Sequence, residues 1–376
     1  YKAGALRHGL ASADGELIAI FDADFLPAPS FLRATVGPFA DPGVGVVQTR
    51  WGFTDPARSL LTRVQALVID THFGIEQAGR NALGCFINFN GSAGVWRAAA
   101  IADAGGWLEE TLTEDLDISY RAQLGGWRFV YLDDVRVPTE LPQDLRSFRL
   151  QQYRWIKGVA QNAFRFASPV VRAPIPQRTK VHAIAQLFES CLYLVTLGVP
   201  LLSATIVLLA PPGLIRDAAA FPPIFLAGGL LMAIGYVRYV RDTLPAASVR
   251  QALGRWLAFF LVQMALSTHN TVAVLSGLTR SGGEFVRTPK RGDDPEHVSY
   301  VPPGLDRITA IELLVWLFLV TVLTLGASRG LLPLQWLALV MLGGITALLA
   351  ASLRHALRIT PVGFGKADNV QLPHSG

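Results

Sequence analysis

Charge is scarce in this sequence: Asp, Glu, Lys and Arg make up 16% of 376 residues, while 51% are hydrophobic. That balance is too oily for an ordinary soluble enzyme. Cysteine is scarcer still. Cys85 and Cys191 are the only two, which excludes a disulfide framework and a cysteine metal site, so both read as small buried residues. A basic stripe with interleaved aromatics is also missing, and the net charge of +5 therefore does not point to nucleic acid. The Lys and Arg residues are scattered or gathered in loops beside apolar segments, as membrane topology asks. The chain opens on Tyr1 without an initiating Met or a signal-peptide pattern, and the expectation is that a stretch of fold precedes it.

The apolar residues are spread unevenly. Residues 1–180 carry most of the acidic groups and read as a globular head, 181–359 hold apolar stretches long enough to cross a bilayer, and 360–376 read as a mobile polar tail. Stretches 187–209, 223–240, 311–325 with its flanks, and 334–351 are the expected spans. Segment 256–278 is also long enough, but it contains Gln263, Ser267, Thr268, His269 and Asn270. Arg238, Arg241, Arg250 and Arg255 precede it, and Arg280, Arg287, Lys290 and Arg291 follow. Positive charge on both sides predicts an interfacial or re-entrant helix, with a fifth span as the alternative. Polar groups such as Glu189, His269 and Asn270 should face a polymer path or a neighbouring helix, not lipid.

Within the head, the apolar run 17–21 reads as a buried strand of a parallel sheet, because it does not alternate. Asp22 and Asp24 follow at its carboxyl end, where open α/β sheets bind ligands. An Asp-x-Asp pair there can hold a hard divalent cation and, through it, a diphosphate; equally, the two can cap backbone N–H groups of a turn. Residues 2–10 have helical spacing, Ser30 is a candidate cap for a helix through Phe31, Leu32 and Val36, and 44–53 read as a strand. A helical pattern over 59–77 carries Asp70, His72 and Glu76, whose spacing matches no established ligand motif and favours a polar face over a metal site. Residues 85–94 read as a strand ending in small residues, where Gly91 and Gly94 allow a close ligand approach or simply a tight turn. Thr113 or Asp115 is expected to cap a helix, and Glu114 and Asp115 there also complement its dipole. A strand is expected over 126–131. Around 150–155 a helix presents Arg154, suited to a phosphate, and Trp155, suited to a sugar face or to apolar packing. An ordinary amphipathic helix explains that stretch about as well.

The order of these stretches is more telling than any one of them. Asp22-Ala23-Asp24, Phe89-Asn90-Gly91, Thr113-Glu114-Asp115 and Gln151-Gln152-Tyr153-Arg154-Trp155 resemble the D-x-D, FNG, TED and Q-x-x-R-W series of processive family 2 glycosyltransferases. That group includes cellulose, mannan and hyaluronan synthases. Tyr1-Lys2-Ala3-Gly4-Ala5, Val47-Gln48-Thr49-Arg50-Trp51, the stretch from Phe89 to Arg97, and Glu140-Leu141-Pro142 look most like the cellulose-synthase-like A, or (gluco)mannan synthase, branch. Phe285-Val286-Arg287-Thr288-Pro289-Lys290 is similar to the F-x-x-T-x-K gating loop of cellulose synthases, here within 284–292.

The resemblance implies an α/β GT-A-type head, a nucleotide-diphospho-sugar transferase fold, followed by an α-helical membrane domain. The family's first nucleotide-binding strand, its base-contacting aspartate and its N-terminal membrane helix have no counterpart here, so the head is expected to be incomplete at its N-terminus. Asp24, with Asp22, is implied to hold Mg2+ or Mn2+ against the donor phosphates, and Asp115 to act as general base beside Glu114. Gln151 and Arg154 would secure the diphosphate, Trp155 would stack on the acceptor sugar, and Asn90, Gly91, Thr288 and Lys290 would complete the donor and acceptor sites. The implied activity is inverting, processive transfer of a hexose from GDP-mannose or UDP-glucose to a β-linked polysaccharide, with translocation of the product. An integral multi-pass protein of the plasma or bacterial inner membrane follows, with a cytoplasmic head and accessory export proteins as candidate partners. Transfer of one sugar to a lipid acceptor is the alternative, and a catalytically inert membrane component is a third reading.

Overall fold

The computed structural model describes residues 2–209, 211, 222–243, 248–279 and 307–358. The 285–290 motif, with Thr288 and Lys290, and the 360–376 tail lie outside the described residues.

The head is organised on four strands, β1 Leu17–Ile20, β2 Val44–Phe53, β3 Gly94–Arg97 and β4 Arg128–Thr139, in the spatial order β1-β3-β2-β4. Strand β3 pairs antiparallel with both β1 and β2, and β2 runs parallel to β4. The expectation of a parallel strand at 17–21 is therefore corrected: β1 is antiparallel, at the edge of the sheet. Its apolar run has contacts on both faces, although Ala19 is exposed. Ile18 and Ile20 join one cluster with Val46, Trp96, Ile101 and Ile118, while Leu17 and Phe21 join another with Phe25, Phe31, Val47, Val95 and Val137. Two-sided burial leaves the same sequence pattern whichever way the partner strand runs.

Helices α1 Lys2–Leu10 and α2 Phe31–Thr35 flank the first two strands. Ser30 does not cap α2: its own backbone is helical and its side chain makes no cap hydrogen bond. Helix α3 Leu60–Thr71 starts as expected, with Ser59 and Thr62 forming a reciprocal capping box. It then widens into a π-helical turn, His72–Gln77, before α4 Ala78–Ala82.

Residues 85–90 are not a strand. Buried side chains stand in for a neighbouring strand and satisfy their backbone. Gln123 accepts from Ile87 N at 3.0 Å and donates to Ile87 O at 2.9 Å. Gln77 does the same for Asn88, at 3.1 and 2.8 Å. Ser119 Oγ accepts from Phe89 N and Gln48 Oε1 from Asn90 N.

Helix α5 Ala98–Asp103 follows β3, and α6 Glu114–Leu124 precedes β4. Helix α7 Leu145–Arg172 is much longer than the stretch expected around 150–155, and Asp144 caps it by accepting from Ser147 N at 2.8 Å. Helices α8 Gln177–Leu187, α9 Leu192–Leu209, α10 Pro222–Thr243, α11 Val249–Thr279, α12 Arg307–Ser328 and α13 Trp336–Arg358 complete the described chain.

Among the described residues four helical stretches are long and apolar enough to cross a membrane: Glu189–Leu209, Val249–Thr279, Arg307–Ser328 and Trp336–Leu353. Helix α10, which carries the expected 223–240 span, is not one of them, whereas α11 is. Helix α11 runs unbroken for 31 residues, and 56% of its apolar window is buried, against 17–28% in the other three. Its consecutive polar residues Ser267 to Thr271 are all buried.

Two arginines tie the head to these helices. Arg149 of α7 makes a bidentate pair with the buried Glu312 of α12, at 3.1 and 2.9 Å. Arg50 of β2, 3% exposed, donates to Asp70 at 3.0 Å, Asp133 at 2.9 Å and the Tyr239 hydroxyl of α10 at 3.1 Å. Gly74 in the π-helical turn leaves the room this needs, since a Cβ there would overlap the Tyr239 hydroxyl.

Candidate active site

The carboxyl end of β1 meets the amino end of β3 because the two strands are antiparallel, and this brings Asp22 beside the 90–92 turn. Lys2 Nζ lies 2.6 Å from Asp22 Oδ1 and donates to Gly91 O at 2.7 Å. Asp22 N donates to Ser92 Oγ at 2.8 Å. Gly91 has a φ of 80°, and a Cβ there would stand 2.8 Å from Asp115 Oδ2. Glycine is thus required twice over, by backbone conformation and by the approach of Asp115. Gly94 serves a different end: the space of its missing Cβ faces the Phe89 ring at 2.8 Å, so its smallness serves core packing.

Asp24 is held from another side. Its Oδ2 accepts from Thr139 Oγ1 and, at 3.4 Å, from Glu140 N, where β4 ends. Two carboxylates one residue apart offer the hard oxygen donors that Mg2+ or Mn2+ prefer. No group of three or more His, Cys, Asp or Glu side chains converges among the described residues. The two carboxylates suit such a cation, with its further oxygen ligands coming from outside this pair.

Asp70, His72 and Glu76 are engaged with other side chains. Asp70 is paired with Arg50, and His72 Nδ1 lies 2.9 Å from Glu76, which also faces Arg80 at 3.8 Å.

Glu114 and Asp115 begin α6. Thr113 occupies the cap position, but its side chain makes no cap hydrogen bond. Burial, reinforced by the neighbouring Asp115 charge, pushes the Glu114 carboxyl up to about 7. Burial also raises Asp115, against the pull of Lys2 and of the Leu116 N–H that donates to Asp115 Oδ1 at 2.8 Å. Arg154 on α7 feels Glu114, Asp115 and Asp22 together, and their charges oppose the burial that lowers its own pKa. The structure thus gathers Asp22, Gly91, Glu114, Asp115 and Arg154 from four separate stretches.

The remaining expected residues sit around this cluster. Asn90 Oδ1 is 3.4 Å from His72 Nε2, and Asn90 Nδ2 is buried without a hydrogen-bond partner among the described residues. Gln151 Oε1 is likewise buried and unpaired there. Trp155 packs on the Phe73, Ile87 and Tyr131 cluster, with its ring 6.4 Å from that of Trp51. Lys2, Gln48 and Ser92 were not singled out as site residues in the sequence. Each lies in a stretch that carried the resemblance, but residue type and spacing alone do not show which backbone or carboxylate each will reach.

A mixed sheet with a carboxylate pair, a second carboxylate pair and flanking cations, joined to apolar helices, is the plan of a membrane-associated α/β transferase. The chain belongs to the family described as Glycosyl transferase family group 2, which matches residues 17–352, and its head is of the GT-A type. It is similar to Glucomannan 4-beta-mannosyltransferase 1 of Oryza sativa subsp. japonica, 36% identical over 301 residues, covering 78% of this chain and 56% of that protein. It is also similar to Glucomannan 4-beta-mannosyltransferase 2 of Arabidopsis thaliana, 36% identical over 310 residues, covering 78% and 54%. The chain spans about half the length of the curated relatives it matches. A solved structure, mannosyltransferase PcManGT from Pyrobaculum calidifontis in complex with GDP-Man and Mn2+, aligns with a TM-score of 0.39 and 19% identity, covering 70% of this chain and 66% of that one.

Proposed function

We propose that this chain forms the catalytic part of a processive, inverting membrane glycosyltransferase that moves a hexose from a nucleotide sugar to a growing β-linked polysaccharide. GDP-mannose is the preferred donor and UDP-glucose the second choice, because the similar plant proteins are named as glucomannan mannosyltransferases. The observation that carries the reading is the gathering of Asp22, Lys2, Asp115, Glu114 and Arg154 at one place. Two carboxylates suited to proton transfer face two cations suited to a diphosphate.

In this reading Asp22 and Asp24 hold a divalent cation, whose chemistry is charge neutralisation at the leaving diphosphate. Asp115 accepts the proton of the acceptor hydroxyl as its oxygen bonds to the anomeric carbon. The bond from that carbon to the diphosphate breaks, and the electron pair leaves with the phosphate. One backside displacement turns an α-linked donor into a β-linked product. Lys2 and Arg154 attract the diphosphate. Gln151 and Asn90 each have a buried polar atom to offer a ligand, and Trp155 offers a face for the acceptor sugar.

The head lies in the cytoplasm, and the apolar helices cross the membrane several times. The polymer passes among the buried polar groups of the helices, and export proteins receive it. The test supplies membranes bearing the full-length protein with labelled GDP-mannose or UDP-glucose and sizes the product. Long polymer is expected; a lipid-soluble monoglycoside would replace this reading with single transfer to lipid.

A further inference from the structure

Helix α7 does more than present Gln151 to Trp155. Beyond Arg154, the same face of the helix continues through Gly158, Asn162 and Arg165, at spacings of four, four and three residues. All three touch the 110–117 segment that delivers Glu114 and Asp115. Gly158 lies against Thr113, where a Cβ would come within 2.5 Å of the threonine side chain and 2.9 Å of its backbone N. One turn on, the fully buried Asn162 donates from Nδ2 to Thr113 Oγ1 at 2.9 Å. Its neighbour Gln161 accepts from Leu112 N at 2.9 Å. At the next turn Arg165 Nε sits 3.0 Å from Asp117 Oδ1, and the same guanidinium pairs with Glu110. Asp117 is 1% exposed, and its second oxygen accepts from Arg121 at 2.7 and 2.5 Å.

The Thr113 side chain makes no cap hydrogen bond to α6. Its hydroxyl oxygen is engaged across the helix interface instead. Arg154 sits at one end of the stripe, and the carboxylates it faces belong to the segment that the stripe grips. Their separation is therefore a consequence of how α6 registers on α7.

We propose that Asn162 is a positioning residue, which sets the distance between the Glu114 and Asp115 carboxylates and the Arg154 guanidinium by docking Thr113 on α7. The proposal rests on the transferase reading for its kinetic consequence, but its geometric content stands apart from it. A displacement on the order of 1 Å at reacting groups costs up to about a hundredfold in rate, and a single lost hydrogen bond between packed helices can allow that.

The test uses the full-length protein with Asn162→Ala, Thr113→Val, Thr113→Ser and the double variant Asn162→Ala/Thr113→Val. Steady-state kinetics are read beside carbodiimide labelling of Glu114 and Asp115, followed by mass spectrometry. Asn162→Ala should lower kcat between about ten- and a hundredfold while the donor KM changes by less than about threefold. Labelling of the two carboxylates should rise severalfold. Thr113→Val, which removes the hydroxyl at constant shape, should reproduce this, Thr113→Ser should recover most of the lost turnover, and the double variant should be no worse than either single one. Additive losses, a serine variant as damaged as the valine one, or unchanged rates and labelling in Asn162→Ala would overturn the proposal. Should Asn162→Ala fail to fold, Thr113→Val and Thr113→Ser carry the comparison. Unmodified protein that makes no product from any sugar nucleotide would overturn the transferase reading, and the labelling pattern would still decide the positioning.

Discussion

The head and the apolar helices both bury polar side chains, and they do so to different ends. In the head, Gln48, Gln77, Ser119 and Gln123 bond the backbone of residues 87–90, a segment that has no strand partner. In α11 the backbone is satisfied within the helix, so Ser267 to Thr271 are available for contacts between helices. Thr271 donates to Tyr193 O at 2.9 Å, and the His269 ring stands 5.9 Å from Tyr153 of α7 in an edge-to-face contact. Buried polarity in the head is a substitute for sheet; in α11, Thr271 and His269 use it to contact neighbouring helices. The first kind should be costly to delete, because backbone groups are left unpaired, and the second cheaper.

The largest effect is expected where the two regions join. Arg149→Met strips a fully buried Glu312 of its bidentate partner, and should cost about 3–5 kcal/mol by denaturant unfolding, with Arg149→Met/Glu312→Leu recovering most of it. A double variant as unstable as the single would show that the pair contributes more than its charges.

Next comes Glu114. Its folded pKa is raised to about 7 from 4.5, so the folded chain holds the proton more tightly than the unfolded one. Stability must then fall as pH rises through that window, by roughly 3 kcal/mol in all. Glu114→Gln should abolish this slope, read as thermal midpoints at about pH 5 and about pH 8 that move closer together.

Gln123→Leu removes both hydrogen bonds to Ile87 and should destabilise the head by about 2–3 kcal/mol in thermal unfolding. Thr271→Val in α11 removes one lateral bond and should cost only about 0.5–1 kcal/mol. Equal losses in these two variants would erase the distinction between the regions. Asp115→Asn tests function more than stability: turnover should disappear while binding of the nucleotide sugar survives.

The boundaries of the strongest elements were legible in advance. Residues 44–53 form β2 and Ser59 opens α3, because burial and capping leave periodic traces; the apolar stretches 311–325 and 334–351 fall within longer helices, whereas 187–209 is broken by a turn before α9 begins at Leu192. The edge position and direction of β1 left none, since a strand with apolar contacts on both faces reads alike in either orientation. Residues 85–90 read as a strand because the side chains that replace its partner, Gln48, Gln77 and Gln123, are distant in sequence and of ordinary type. The site divides in the same way. Asp22, Glu114, Asp115 and Arg154 stood out as reactive groups in an ordered series, whereas Lys2 and the Asn162–Thr113 contact show no local pattern.

By itself, then, the sequence determined composition-level facts: an α/β head, apolar helices after it, and an ordered set of carboxylates and cations. Those follow from short-range physics, where the spacing of apolar residues and the chemistry of single side chains carry the information. Tertiary structure decided which groups meet. Lys2 reaches Asp22 from a separate helix, Glu114 has its carboxyl pKa raised by burial beside Asp115, and Thr113 meets Asn162 across two helices. Each is a long-range contact, set by how helices and strands pack rather than by any residue's neighbours in the chain.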